Sequence, residues 1–592
     1  MGIPRLASSL EPFAVQHTAR GLQGNRKAII DGPALAYHAF NLAAESQPGV
    51  PSYTDINEAA IDWLRRLEQN NIKVWREGGH RMKIRCDVVH MQTPAAARGK
   101  TKIFFDGALP SWKKEERISR LQQSLSKLFK FKANIDSAES KYQSLGAVAT
   151  PFLVPSLVEK LLASEFSEST SVVPGEADEW CAFFASNNPH SIIFTGDSDL
   201  LVYEFGPNVW VVLLKDVDLL PSLVFKSFCP NNIALRLRLK SLVPLAYAMA
   251  KDPFQHFNDS IADARRCDTE TPNYIQFRER YALSPMFPAY QTDYPELNIA
   301  LQKTDVRVSE LAHQIFPYCL LGLQEVDIFT FDVYLPFLVE DIDRSSAWSH
   351  AEEIRFLGYS FLASITFAET SVQEYKRRAQ AVVPRKHELY SLEKAQSKAT
   401  ALIAMLKSWV DTHIHLSPVQ IWSLFAIRFV LVDLASPDKP LFSSALLARI
   451  ITGDTDGTLN FIHVSARVHA VLYSLRILYQ CITICIAMNK GFFLFDSSEL
   501  FAVISGLHQA LQSLPGIDEL FPTPGTALKR LDNDTELLQA IAKVYESLGI
   551  GEEPLPKAKM KKQREKDRKE SVQKEKSSEA AGNMYNVLRS MS

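Results

Sequence analysis

The hydrophobic pattern has two textures. Over roughly the first 255 residues, short apolar runs rich in β-branched side chains alternate with stretches of helical periodicity. "RKAIIDG" (26–32), "TKIFFDG" (101–107), "HSIIFTGD" (190–197) and "NVWVVLLKD" (208–216) read as strands closed by turn residues. Between them, "INEAAIDWLRRLEQNN" (56–71) sets Ile56, Ala60, Trp63, Leu64 and Leu67 on one helical face. This alternation predicts an α/β domain, a mostly parallel twisted sheet with helices on both faces. From about 285 to 550 the periods are helical, as in "AEEIRFLGYSFLASITFAETSVQEYKRR" (351–378) and "KATALIAMLKSWVDTHI" (398–414), which predicts a large all-α region. No fixed-period repeat occurs.

Two further segments stand apart. Residues 74–100 are polar, with a Gly-Gly pair and a Pro-Ala run, and read as an inserted loop. The tail "PLPKAKMKKQREKDRKESVQKEKSSEAAG" (554–582) has almost no apolar content, so it cannot repay the entropy of folding and is expected to be disordered. The expected domains are 1–255, then an α-helical domain over 256–550, then a Lys/Arg-rich tail over 551–592.

Composition narrows the class. The chain has 592 residues, is 46% hydrophobic and 22% charged, and carries a net charge of −2, so nucleic-acid binding would need local patches. Its seven cysteines are scattered without a CxxC pair, as expected of reduced thiols and not of a zinc site. "MGIPRLASSL" lacks the apolar core of a signal peptide, and Leu6 stands where a myristoylation pattern wants Ser or Thr. The most apolar stretch, "VLYSLRILYQCITICIAM" (471–488), contains Arg476 and Gln480 and reads as a buried helix, with no membrane partner expected.

The chemistry lies at the strand ends. Asp31 follows "AII", Asp106 follows "IFF", and Asp197 with Asp199 follows "IIFTG". In an open parallel sheet the carboxyl ends of the strands share one edge, where ligands bind. "VVPGEADEWCAFFA" (172–185) adds Glu176 and Asp178 at a helix start, where acids also suit the helix dipole. Cys181, one turn on, reads as packing. Converging carboxylates repel one another unless a cation intervenes, and hard oxygen ligands select Mg²⁺ or Mn²⁺. Two such ions suit phosphodiester hydrolysis, in which one activates water and the other stabilises the leaving oxygen. A haloacid-dehalogenase-type site is excluded, since it needs DxD after the first strand and this chain has "DGP".

"MGIPRL", "AIIDGPALAY", "IFFDGALPSWKKEERISR", "VVPGEADEWCA" and "FTGDSDLL" occur in that order. Together they resemble the flap endonuclease/XPG superfamily of structure-specific nucleases, with an N-region at about 1–125 and an I-region at about 140–255 of a PIN-like domain. "GEADEWCA" with "TGDSD", and the helical second half, look most like the Asteroid branch. The resemblance implies that Asp31, Asp106, Glu176, Asp178, Asp197 and Asp199 are metal acids, with Asp252 after "PLAYAMAK" as the seventh. It implies that Lys113 and Arg120, seven and fourteen residues after Asp106, contact the scissile phosphate; a solvated basic helix face is the alternative. It also implies that Tyr37 stacks on a terminal base, unless it is a core tyrosine, and that Gly2 lies near the site. The family's glycine-based duplex grip has no counterpart in 254–281, which contains no glycine.

The expected function is a Mg²⁺- or Mn²⁺-dependent structure-specific nuclease. It would act with two ions on DNA rather than RNA, at flaps, overhangs or single strands, and have a role in DNA repair. The alternative is a catalytically weak or inactive nuclease-fold scaffold binding RNA or protein in post-transcriptional regulation, the protein partner docking on the helical domain. A nuclear location is expected, with a cytoplasmic one as alternative.

Overall fold

The structure is a computed structural model. It describes residues 3–18, 26–46, 49–70, 72–73, 102–134, 142–220, 222–283, 294–320, 328–364, 369–434, 442–454, 458–492, 498–523 and 535–549. The polar 74–100 segment, the 551–592 tail and Gly2 lie outside the described residues.

Strand β1 (Val15–Thr18) precedes a central sheet of β2 (Arg26–Asp31), β3 (Ile72–Lys73), β4 (Lys102–Asp106), β5 (Thr170–Val173), β6 (Ser191–Thr195) and β7 (Trp210–Leu213). Their spatial order is β5-β4-β2-β6-β7, with β3 also paired to β2, and every pairing is parallel. β8 (Val217–Asp218) and β9 (Val224–Ser227) form a small antiparallel sheet with β1. The four strands read from the sequence fall in this sheet. β5 was not read, because its "TSVV" is too short to show a period.

Alternation along these strands builds two layers. Ile29, Phe104, Ile193 and Val211 point into a core with the Ala177–Ser186 helix and Val243–Lys251 helix. Ile30, Ile103, Phe105, Ile192, Phe194 and Val212 point the other way, against the Gly32–Ser46, Tyr53–Gln69 and Leu153–Leu162 helices. Strands buried on both faces are near-continuously apolar, as observed. Burying each large side chain contributes about 1.5–3 kcal/mol. The first of these cores continues into the Phe257–Arg266 and Pro272–Glu279 helices through Ile261, Ala264, Tyr274 and Phe277.

The second half is mostly helical, but not wholly so. β10 (Ile328–Tyr334), β11 (Glu369–Arg378) and β12 (Ala381–Glu388) form a three-stranded sheet. The helical reading of 351–378 therefore holds for Glu352–Ala363 and fails from 369 onward. "ETSVQEYKRR" pairs its polar side with the equally polar "AVVPRKHE" of β12, so the helical period there is an accident of a ribbon with few apolar residues. The Leu459–Phe492 helix is long and apolar enough to cross a membrane, yet 67% of its most apolar window is buried in the protein. Phe152 of the first half stacks on Tyr473 of this helix, with ring centres 4.1 Å apart, so the two halves share a core.

Candidate active site

The carboxyl edge of the central sheet opens into a cleft of about 710 Å³. Asp31, Asp106, Glu176, Asp178 and Asp197 line it, as do Lys113, Arg120 and Tyr37. Strand register accounts for this convergence. Asp31 pairs beside Phe104, two residues before Asp106, and Asp106 pairs beside Val173, so both acids leave their strands at the same carboxyl edge, Asp106 two residues further out. A glycine follows each. A Cβ on Gly107 would lie 2.0 Å from the Val173 carbonyl oxygen, and one on Gly32 would lie 2.7 Å from that of Phe104. Only glycine lets the chain turn away so close to the neighbouring strand.

Backbone and hydroxyl donors hold the acids. Asp31, almost fully buried, accepts from Thr195 Oγ1 at 2.6 Å and from Ala34 N, at the start of its own following helix, at 3.1 Å. Asp106 accepts from Ala177 N at 2.8 Å, so the first amide of the Ala177–Ser186 helix points at the acid cluster. Asp197 N donates to Thr195 Oγ1 at 3.0 Å, and Asp197 Oδ1 accepts from Asp199 N at 2.9 Å. Lys113 reaches Glu176 at 2.5 Å.

The charge in the cleft is only partly compensated. Burial raises the carboxyls of Asp106 and Glu176, against the pull of the Ala177 amide on the first and of Lys113 on the second. Loss of water, then the crowding of Asp31, Asp197, Asp106 and Glu176, pushes Asp178 well up. Burial carries Asp31 to about 6 despite its two donors. Burial and the neighbouring Asp197 carry Asp199 to about 6. Lys113 is itself raised, since Glu176 more than offsets the effect of burial.

Not every predicted residue joins the cleft. Asp199 sits just outside its lining, with Oδ1 accepting from Ile3 N at 2.7 Å and Tyr281 Oη approaching Oδ2 at 3.5 Å. Asp252 caps the Val243–Lys251 helix as anticipated, but it is exposed, does not line the cleft, and accepts from Phe254 N at 3.0 Å. The helix ends at Lys251, two residues before Pro253, and the Asp252 carboxylate closes its own turn instead of turning inward. Arg120 lies on the cleft wall, largely exposed and paired with Glu116 one turn away at 2.5 Å. Tyr37 is 54% exposed, which removes the core-tyrosine alternative. Cys181 is fully buried in the core, as read.

Thr195 and Tyr281 were not anticipated. Thr195 precedes Asp197 by two residues on the same strand side, a signal present in "FTGD". Tyr281 lies far along the chain and no local pattern marks it.

The donor set fits hard divalent cations, being oxygen-only, anionic and short of positive partners. Among the described residues, the one group of three acid or imidazole ligand atoms within 4.8 Å of one another lies elsewhere, at Glu352, Glu374 and His387. There Lys376 pairs with Glu352, and Arg355 meets Glu374 at 2.8 Å, so cations already neutralise the acids. The cleft acids are spread more widely, which leaves room for the waters that Mg²⁺ retains.

Residues 149–389 match a family described as XPG domain containing, a stretch that holds β5 to β7 of the parallel sheet and four of the acids, Glu176, Asp178, Asp197 and Asp199. The chain is also similar to Asteroid homolog 1 of Schizosaccharomyces pombe, 26% identical over 223 residues. That match spans 37% of this chain and about a third, 34%, of the yeast protein. Human GEN1, solved in complex with Holliday junction DNA, is 12% identical over 55% of this chain and 81% of that one, with a TM-score of 0.28.

Proposed function

We propose that the protein is a Mg²⁺- or Mn²⁺-dependent nuclease that hydrolyses phosphodiester bonds of DNA bearing a flap, overhang or single-stranded end. The observation that carries this reading is the meeting of five acids from four separate segments in one cleft with Lys113 and Arg120. Asp31, Asp106, Glu176 and Asp178 would hold mainly one ion, and Asp197, with Asp199 behind it, the second. A bound ion supplies Lewis-acid stabilisation of charge on the phosphate and its leaving oxygen.

The chain's own residues prepare the reaction. Thr195 and the Ala34 and Ala177 amides fix the acids before any ligand arrives, so little reorganisation is needed at the chemical step. Arg120 offers a forked donor set to a phosphate at modest cost, because its pair with Glu116 is exposed. Lys113 would exchange Glu176 for the phosphate once a cation takes over that carboxylate. A nuclear location and a role in DNA repair belong to this proposal, the Lys/Arg-rich tail supporting the first.

Metal-dependent cleavage of flap, overhang, single-strand and RNA substrates is the test, wild type against Asp197→Ala. Loss of cutting in the variant alone supports the reading; equal inertness, or equal activity, ends it. One observation favours the scaffold reading instead: Asp252 is outside the cleft and Asp199 is already engaged by Ile3. On that reading wild type binds nucleic acid or protein and cuts none of the four substrates.

A further inference from the structure

Trp112 is 57% exposed and immediately precedes Lys113, which lines the cleft. It belongs to the short Ser111–Lys113 turn that leads into the Lys114–Ala133 helix. Leaving a tryptophan ring in water forgoes one of the largest burial gains any side chain offers. Its neighbours are cations: the Arg280 guanidinium lies 5.6 Å from the ring centre and Lys113 Nζ 5.2 Å.

Arg280 is held in place from behind. The next residue, Tyr281, packs edge-on against Tyr203 at 5.5 Å and at a tilt against Phe277 at 5.4 Å, and its hydroxyl approaches Asp199. A single stretch of chain therefore ties the acid site to this aromatic. An open indole flanked by two cations, next to a cleft that takes phosphates, is the combination that holds single-stranded nucleic acid: the ring meets a base face and the cations meet the backbone.

We infer that Trp112 and Arg280 form a base-stacking subsite beside the cleft that holds an unpaired nucleotide of the substrate strand. This rests on the nucleic-acid reading above and deepens it. It accounts for how a strand could be gripped without a glycine-based duplex contact.

The test is fluorescence anisotropy of the full-length protein in Ca²⁺, with labelled oligodeoxythymidine and an abasic strand of the same length. Trp112→Ala should weaken binding of the base-bearing strand about 5- to 100-fold and leave the abasic strand unchanged. Trp112→Phe should restore most of the loss, and Arg280→Ala should weaken both strands. Equal loss on both strands in Trp112→Ala, or no loss on either, overturns the stacking subsite while the nuclease reading stands. If wild type binds neither strand, the nucleic-acid reading fails and the subsite with it.

Discussion

Both halves of the molecule bury charge, and they do so in opposite ways. In the helical half, Arg355 and Glu374 are fully buried and joined by two bonds of 2.8 and 2.9 Å, with Ser474 and the Trp348 carbonyl completing the guanidinium. Arg377 and Glu340 repeat the arrangement, bonded at 2.6 Å. Burial alone would raise Glu374, but Arg355 overrides it and holds the carboxyl below its usual range. At the edge of the central sheet the acids gather with Lys113 as the chief counter-charge, and burial raises the carboxyls of Asp31 and Asp178. Like residue types thus make structure where the charge is answered and a site where it is left open.

The comparison is broken most sharply by two substitutions. Glu374→Ala strands the Arg355 charge and should cost about 3–5 kcal/mol, read from denaturant midpoints. Asp178→Asn should do the reverse, raising stability in EDTA, while cutting metal-dependent cleavage by more than about 100-fold. If Asp178→Asn also destabilises the metal-free protein, the site acids are structural after all.

Metal is the next lever. Adding Mg²⁺ to about 100 times its Kd should stabilise wild type by roughly 2.7 kcal/mol, seen as a higher Tm. Asp31→Asn should lose most of that gain, and Glu374→Gln should keep it.

The two regions should also respond oppositely to pH. Between about 4 and 6, the folded chain still holds protons on Asp31 and Asp199 that the unfolded chain has released. Their contribution to metal-free stability therefore falls as pH rises through that window, by at most about 3 kcal/mol per group. Glu374 contributes with the opposite sign: its stabilisation is present above the unfolded pKa and is lost as pH falls through the lower folded value. Melting curves of wild type and Asp31→Asn across this range, in EDTA, separate the two. The smallest effect is expected at Arg120→Ala. Its exposed pair with Glu116 should leave stability within about 0.5 kcal/mol while cleavage drops.

The sheet and two of its acids were readable because strand ends carry their own punctuation, an apolar run, an aspartate, a glycine; Asp197 follows its glycine, and Glu176 and Asp178 were read from a helix start. Asp31-Gly32 and Asp106-Gly107 announce both the carboxylate and the crowding that only glycine survives. Asp252 misled because a helix end can be located locally, whereas the direction of its carboxylate depends on the turn beyond. β10 escaped notice because its pairing with β11 joins segments about 40 residues apart, and β11 with β12 because that polar ribbon carries no apolar alternation. Tyr281 and the charged partners of the helical half were hidden for the same reason, being contacts across long stretches of chain.

The Lys114–Ala133 helix, which carries Arg120, is fastened to the second half at both ends. Lys114 pairs with Asp332 at 2.7 Å and Arg117 with Glu310 at 2.5 Å; near the other end Lys132 pairs with Asp341 at 3.4 Å and with Asp343. A rod pinned twice does not swing. Its amides should exchange with solvent as slowly as those of the core strands. A strand entering the cleft would pass a stationary bar, so turnover would be paced by sliding in and letting go, not by a gate that must first open.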